Sequence, residues 1–274
     1  IDVSVGTAFF LMGGFLGYAA GGSVGTLLVS RLGFAGLLWL IPPALLAVPL
    51  LYGTRIRLAT DVPAGTTPDR HPAQGKDGAS FSFWAVFFMA LPAAVATEGI
   101  IWSVPARLKE LGFPLTMGGF SNMSFLLGSI VGNVTWACLA AKRNKLLFCL
   151  AGYLLGIPWL LAYVETISSP AAWGLLAGAG TFLVAPYTLQ VTMARYARGL
   201  NLGGRMALMV GGTWGLAGLA VPLMAKIAEL VSLQAVLNWL WTGYLFSAML
   251  GAGLMWKNRS AQPPAAETET ASYS

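Results

Sequence analysis

One carboxylate, Glu98, falls clearly inside a long apolar stretch of the sequence, within Ala96-Thr97-Glu98-Gly99-Ile100. A charge in hydrocarbon costs about 2.5 kcal/mol or more, so this side chain must face a cavity, find a partner or carry a proton. Trp102 follows four residues later on the same helix face and can exclude water from the carboxylate. We therefore predict that Glu98 binds a proton or a substrate. A structural hydrogen bond and exposure at the membrane interface are the alternatives.

The depth of Glu98 follows from the length of its segment. A helix that begins at Phe81 reaches Glu98 after 17 residues, which is roughly 26 Å at 1.5 Å per residue. The sequence therefore predicts that Glu98 lies toward the outer leaflet.

Uncharged polar side chains within the apolar stretches form a second set of candidates. Asn122, Ser129 and Asn133 are seven and four residues apart, so they form a row on one helix face. Such a row fits a water-filled pathway, and it fits hydrogen bonds to neighbouring helices equally well. The remaining candidates for substrate contact are Tyr187, Gln190 and Trp214.

Residues for catalysis or metal binding do not cluster in this sequence. Cys138 and Cys149 flank a basic loop without a nearby histidine, and the single histidine, His71, lies in a polar connector. Paired carboxylates, a serine with its base, a histidine pair on a helix and a phosphate-binding glycine loop are all missing from the pattern. We expect no enzyme activity, no metal and no cofactor.

The elements that must position these residues are membrane helices. Of the 274 residues, 57% are hydrophobic and only 9% are charged, whereas soluble domains average about 25% charged residues. The apolar residues form runs of about 20, the length that crosses a hydrocarbon core. These runs do not alternate polar and apolar residues, so an all-α polytopic transmembrane bundle is predicted rather than a β-barrel.

The runs predict about eight spans, separated by one long connector. Residues 1–52 hold two of them, residues 53–80 form a flexible cytoplasmic connector, residues 81–256 hold six and residues 257–274 form a disordered cytoplasmic tail. The predicted spans are Val5–Ser30, Gly33–Tyr52, Phe81–Val104, Leu115–Ala140, Leu146–Val164, Ala171–Met193, Met206–Ala225 and Leu233–Trp256.

Lysine and arginine are unequally divided between the two sides of this map. Twelve of the 16 basic residues fall on one side and four on the other, which assigns the first side and both chain ends to the cytoplasm. Because the basic residues are scattered at the ends of apolar runs, we expect no nucleic-acid partner. The cytoplasmic basic loops contain Lys142, Arg143, Lys145, Arg195, Arg198 and Arg205.

Glycines recur every four residues in two of the predicted spans. This spacing places them on one face of a helix, where another backbone can approach closely. We predict that both faces are packing surfaces. The glycines are Gly13, Gly17, Gly21, Gly22 and Gly25 in the first span and Gly211 and Gly215 in the seventh.

Three segments resemble the major facilitator superfamily of transporters. The glycines Gly17, Gly21 and Gly22 match the superfamily's fifth-helix antiporter motif, with Tyr18 where its proline usually stands. The stretch 140–145 resembles the basic loop between the second and third helices of a half, and 205–215 resembles the start of the eleventh helix. The layout of two helices, a basic connector and six helices also resembles the later part of such a transporter.

The resemblance implies a chain truncated at its amino terminus, holding the last two helices of one half and all six of the other. It implies a secondary transporter in a bacterial inner membrane, working by alternating access and proton-coupled efflux of drugs or metabolites, and similar to the fosmidomycin resistance group. Its expected partners are a small solute, protons, membrane lipid and the missing amino-terminal helices. Proton symport of a sugar or organic anion is the alternative, and a membrane scaffold or regulatory protein is the alternative of another class.

Overall fold

A computed structural model describes residues 3–53, 81–141 and 143–260 of the chain. This part is built from helices, as the apolar runs predict. In chain order they are α1 (Val3–Leu32), a 3-10 helix (Phe34–Leu40), α2 (Ile41–Gly53), α3 (Phe83–Glu110), α4 (Leu115–Ala140), α5 (Lys145–Glu165), α6 (Ala172–Leu183), α7 (Ala185–Tyr196), α8 (Leu202–Met206), a π-helical segment (Ala207–Gly212), α9 (Thr213–Leu230), α10 (Leu233–Trp239) and α11 (Trp241–Ser260).

Six helical stretches of the described residues are long and apolar enough to cross a membrane. The chain therefore has the architecture of a helical membrane bundle. The six stretches are Ser4–Leu32, Phe83–Glu110, Leu115–Ala140, Lys145–Glu165, Ala172–Tyr196 and Leu202–Leu230.

The two further predicted spans, Gly33–Tyr52 and Leu233–Trp256, are not single α-helices in the structure, and their crossing of the membrane stays a prediction. The first is a 3-10 helix followed by the 13-residue α2, because Pro42 and Pro43 lack the N–H groups that an α-helix would need there. The second is divided at Leu240, where the Gly243 N–H donates to the Leu240 carbonyl at 3.2 Å. Its longer part, α11, extends to Ser260 and so includes the first four residues of the predicted tail. Most of the predicted connector and the rest of that tail lie outside the described residues.

The α3 start and the link between α7 and α8 lie at the same end of the bundle. The Phe83 N–H donates to the Arg198 carbonyl, and the Arg198 N–H donates to the Phe81 carbonyl, both at 2.9 Å. Since consecutive long helices run in opposite directions, the α4–α5 turn lies at this end as well. We call it the basic end. Its basic residues, unaccompanied by any described acidic residue, are Arg143, Lys145, Arg195, Arg198, Arg205, Lys257 and Arg259.

The opposite end mixes both signs of charge. Two ion pairs form there among the described residues, Arg107 with Glu110 at 2.9 Å and Lys226 with Glu229 at 2.8 Å. An Arg107 Nε–H bond to the Gln234 side chain at 3.0 Å also joins the end of α3 to the start of α10. The asymmetry between the two ends agrees with the predicted division of basic residues. Arg31, Lys109 and Glu165 complete the charges of this end.

Helix α7 forms the centre of the bundle. Every residue from Ala185 to Ala194 is buried, and α7 contacts α1, α3, α4 and α5. It is separated from α6 at Val184 because Pro186, in the first turn of α7, cannot donate to the preceding turn. The polar side chains of α7 are therefore enclosed by other helices and must find their hydrogen bonds inside the protein.

Glycines permit a close crossing of α4 and α6. Gly128 and Gly132 lie against the backbone of α6 at Ala177 and Thr181, and a β-carbon on either glycine would overlap those residues. Across the contact the Thr181 hydroxyl donates to the Gly128 carbonyl at 3.1 Å. Small residues four apart allow such backbone approach in membrane bundles.

We predict that Gly128→Ala destabilises the protein by about 1–3 kcal/mol, because the added methyl group forces two backbones apart. Gly253→Ala in α11 is the matched control, since nothing lies within 4 Å of its β-carbon position. Both replacements change helix propensity equally, so the difference isolates the clash. Thermal unfolding of the purified protein in detergent should show a lower midpoint for Gly128→Ala alone. Equal midpoints for the two variants would contradict the crossing.

Candidate functional site

Glu98 lies near the middle of α3. It follows Phe83 by 15 residues and precedes Glu110 by 12, or about 22 Å and 18 Å along the axis. Helix α3 continues beyond the predicted end of the span, Val104, through Pro105 into a last turn that carries Arg107 and Lys109. Glu98 is therefore near the middle of α3 by length, and its predicted position toward the outer leaflet stays a prediction.

Two tyrosine hydroxyls lie near Glu98. Tyr18 of α1 is close to the Glu98 carboxylate, and Tyr244 of α11 lies within electrostatic range of it. The ion pairs of the described residues are the two at the bundle end, and neither involves Glu98. Glu98 therefore has no cationic partner within the described chain. Trp102 lies one turn further along α3 and is partly exposed.

A buried hydroxyl network continues from the neighbour of Glu98 toward α11. The Thr97 hydroxyl donates to the Ala93 carbonyl at 2.9 Å and lies 2.8 Å from the Tyr244 hydroxyl. Since Thr97 has one hydroxyl proton, Tyr244 must donate in the second bond. The network ties α3 to α11 directly beside Glu98.

The same network reaches α7 through aromatic contact. The Tyr244 and Tyr153 rings lie 5.9 Å apart between centroids, and the Gln190 amide donates to the Tyr153 hydroxyl at 2.7 Å. Gln190 Oε1 is buried without a hydrogen-bond partner among the described residues. The predicted site residue Gln190 thus belongs to the interior polar network, at the central helix.

The row on α4 makes contacts with several different elements. Asn122 donates to the Ile101 carbonyl of α3 at 2.9 Å, and Ser129 donates to the carbonyl of Phe125 in its own helix at 2.8 Å. Asn133 is fully buried and accepts a hydrogen bond from the Thr188 hydroxyl of α7. Two of the three predicted residues therefore bond to neighbouring helices, and the row supplies hydrogen bonds between helices.

Tyr187 and Trp214 come together beside the π-helical segment. Their rings pack edge to face with centroids 5.2 Å apart, and Phe15 of α1 packs on Trp214 at 6.4 Å. The Tyr187 hydroxyl donates to the Met209 carbonyl at 2.9 Å. These three rings, which we call the aromatic cluster, join α1, α7 and α9. A π-helical segment is frequent at functional sites.

The glycine face of α1 is open. Nothing lies within 4 Å of the β-carbon positions of Gly13, Gly17, Gly21 and Gly22. The β-carbon position of Gly25 lies 3.8 Å from Leu37 Cδ2. Helix α1 instead packs on α4 through the opposite face, where the Ser23 hydroxyl donates to the Gly119 carbonyl at 3.1 Å. Gly211 and Gly215 are open in the same way.

The predicted basic loops lie at the basic end, apart from Glu98. Arg143, Arg195 and Arg198 are exposed there and Lys145 is partly exposed, while the Arg205 guanidinium donates to the Ala197 carbonyl. Lys142 and His71 lie outside the described residues.

Several residues of the network were not singled out from the sequence. Tyr18, Thr97, Tyr153, Thr188 and Tyr244 all lie in apolar helices, where a hydroxyl needs an internal hydrogen bond. That need is the only signal the sequence offers, and it does not identify the partner.

Glu98 belongs to no metal-ligating group among the described residues, and it does not line the apolar cavity between α3, α9, α10 and α11. The described residues contain no group of three His, Cys, Asp or Glu side chains that could hold a metal. An apolar cavity of about 550 Å³ lies between α3, α9, α10 and α11, and none of the predicted site residues lines it.

Comparisons with known protein families, with curated proteins and with solved structures found no match to this chain. The class that its own features define is an α-helical membrane bundle with a single carboxylate at the middle of a long apolar helix.

We predict that Thr188→Val destabilises the protein by about 1–3 kcal/mol, because the Asn133 amide then loses its hydrogen-bond partner while remaining buried. Thr135→Val is the matched control, since Thr135 is exposed on the same helix as Asn133. Thermal unfolding in detergent should separate the two variants. Equal unfolding midpoints for the two variants would show that the hydrogen bond between Thr188 and Asn133 contributes nothing to stability.

Proposed function

We propose that this protein is a secondary active transporter of a small solute, working by proton-coupled efflux of drugs or metabolites with alternating access. Glu98 is the coupling group, and it takes up and releases the proton on alternate sides of the membrane. The alternative is import of a sugar or an organic anion by proton symport.

The observation that carries this proposal is the position and surroundings of Glu98. A carboxylate near the middle of a membrane helix costs several kcal/mol unless it is protonated or neutralised, and intramembrane carboxylates of this kind mark ion and substrate pathways. Glu98 is partly exposed, lies close to Tyr18 and forms no described ion pair. A structural role would be better served by a cationic partner that neutralises the charge permanently.

Interrupted helices around the centre also support a transport function. The chain changes helix type or direction at Val184, across Ala207–Gly212 and at Leu240. Discontinuous helices are typical of transporters in which groups of helices rock around a central site. A scaffold would require neither these interruptions nor a central carboxylate.

The open glycine faces support the expectation that further helices pack on this chain. Gly13 and Gly17 on α1 and Gly211 and Gly215 on α9 allow close backbone approach, and nothing in the described chain occupies the space beside them. In the major facilitator superfamily, which the chain resembles, an amino-terminal group of helices would supply that contact. The family and its two-sided cavity are part of the proposal.

We predict that Glu98→Gln abolishes the gradient-dependent part of transport. The assay uses proteoliposomes that contain the pH dye pyranine, with pulses of organic cations, sugars and carboxylates added from outside. A solute that moves protons through the wild type but not through protein-free liposomes is a substrate. Its proton flux should fall at least about tenfold in Glu98→Gln, since loss of even 1.4 kcal/mol of coupling is a factor of ten.

The control is Glu165→Gln, which removes the same charge from an exposed position at the end of α5. Its flux should equal that of the wild type. Flux that survives Glu98→Gln with unaltered pH dependence would show that Glu98 is not the coupling group. Failure of every solute to move protons through the wild type would contradict transport itself.

A further inference from the structure

A cavity of about 280 Å³ lies at the end of the bundle opposite the basic end. It is formed where the turn between α3 and α4 meets the turn between α5 and α6, and we call it the turn cavity. Ser168 and Pro170, which line it from the second turn, are exposed. The cavity can therefore be reached from this end of the bundle. Glu98 does not line it.

The walls of the turn cavity are apolar and uncharged. Three aromatic side chains line it, Phe113, Tyr163 and Trp173, and its other described lining residues are apolar residues and serines. A charged molecule would lose its hydration there without gaining a counter-charge from the described walls. Mostly apolar walls with a few polar groups are typical of small-molecule sites. The lining therefore favours an uncharged molecule with an aromatic body.

Tyr163 supplies a polar group without a partner. Its side chain is 2% exposed, and its hydroxyl is buried without a hydrogen-bond partner among the described residues. Two serines of the wall are already bonded, since the Ser121 hydroxyl donates to the Gly118 carbonyl at 2.7 Å and the Ser169 hydroxyl accepts from the Ala171 N–H at 3.2 Å. A buried donor that stays unpaired is costly. The cavity that Tyr163 lines is the space from which an acceptor can come.

Water is a poor candidate for that acceptor. A buried water usually makes about three hydrogen bonds, whereas Tyr163 is the wall residue whose buried hydroxyl lacks a partner in the described chain. An organic molecule needs only one acceptor atom there, because its remaining surface can pack on the aromatic rings.

Hydrogen bonds fix the walls before any ligand arrives. The Ser124 hydroxyl of α4 donates to the Trp173 carbonyl of α6 at 2.9 Å, and the Phe113 N–H donates to the Leu108 carbonyl at 3.0 Å. Two of the three aromatic residues thus lie on backbone that is tied to a neighbouring element. A preformed wall reduces the entropy that binding must overcome.

We infer that the turn cavity binds a small uncharged aromatic molecule, and that the Tyr163 hydroxyl donates a hydrogen bond to an acceptor atom of that molecule. The site is separate from Glu98 and does not depend on whether the protein transports a solute.

The test compares two probes of nearly the same shape, benzophenone and diphenylmethane, which differ by the carbonyl acceptor. Binding is measured from the rise in the thermal unfolding midpoint in detergent, because a ligand that binds only the folded protein raises that midpoint. Free concentrations are corrected for partition into protein-free micelles. Benzophenone should bind roughly three- to tenfold more tightly, as one hydrogen bond predicts. Benzoylbenzoate, which adds a carboxylate to benzophenone, should give no stabilisation.

Tyr163→Phe removes the unpaired hydroxyl and leaves the ring. Without a probe its unfolding midpoint should equal or exceed that of the wild type, since no hydrogen bond is lost. With the probes, its preference for benzophenone over diphenylmethane should disappear. The matched control is Tyr153→Phe, which removes a hydroxyl that accepts a bond from the Gln190 amide. That variant should unfold at a lower temperature and keep the preference.

A second pair of variants locates the probe in the cavity. Ser168→Trp places a large side chain at the exposed edge of the turn cavity and should abolish the stabilisation by benzophenone. Thr166→Trp is the control, because Thr166 is exposed close by in the chain and is not among the described lining residues. It should bind benzophenone as the wild type does.

Equal stabilisation of the wild type by benzophenone and diphenylmethane, or none by either, would overturn the inference even if no variant folds. A preference for benzophenone that survives in folded Tyr163→Phe would overturn it as well. So would a lower midpoint for Tyr163→Phe without a probe, because the hydroxyl would then already be bonded, for instance to water.

Discussion

The rest of this structure depends on how an apolar bundle accommodates one carboxylate without a counter-charge. Glu98 lies near the middle of α3, close to Tyr18 and without an ion pair among the described residues. A hydroxyl can bond to a carboxylate and to a carboxylic acid, so a tyrosine neighbour is compatible with both protonation states. A lysine or arginine in the same place would favour the charged state. The proposed coupling role requires a carboxyl group that can exist in both states.

The helices around Glu98 are joined by polar contacts that do not involve charge. Thr97 and Tyr244 connect α3 to α11, and Gln190 connects α7 to Tyr153 of α5. Such bonds contribute only about 0.6–2 kcal/mol each in membranes. Weak uncharged contacts around a central helix, together with interrupted helices on several sides of it, suit a bundle that must change its packing.

The sequence predicts the class of fold because hydrophobic length is a local property. The apolar run Leu115–Ala140 became α4 with the same bounds, and α3 to α5 follow the predicted order. Hydrophobic length does not predict the division of Gly33–Tyr52 into a 3-10 helix and α2, where consecutive prolines interrupt the backbone hydrogen bonds of a hydrophobic run. The length and hydropathy of a run depend on its side chains, whereas an unbroken α-helix also requires a backbone N–H donor at each interior position.

The site was only partly predictable for the same reason. Glu98 is conspicuous as a lone charge in an apolar run, but its neighbour Tyr18 lies 80 residues earlier, and no pattern links the two. The glycine spacing on α1 predicts a packing face but not what packs there. The face is open in the described chain, and α1 packs on α4 through the opposite side. Contacts between distant helices depend on tertiary packing, which spacing within one helix does not encode.

We propose that Glu98 lies inside a bilayer, with the basic end on the cytoplasmic face and the opposite end outside. Single cysteines at Arg143 and Arg198, and at Ser168 and Val231, test it in a background where Cys138 and Cys149 are alanine. A membrane-impermeant maleimide should label the first two only in inside-out vesicles and the last two only in right-side-out vesicles. Labelling of both pairs from the same face would contradict the account, because α3 would then not carry Glu98 across the membrane.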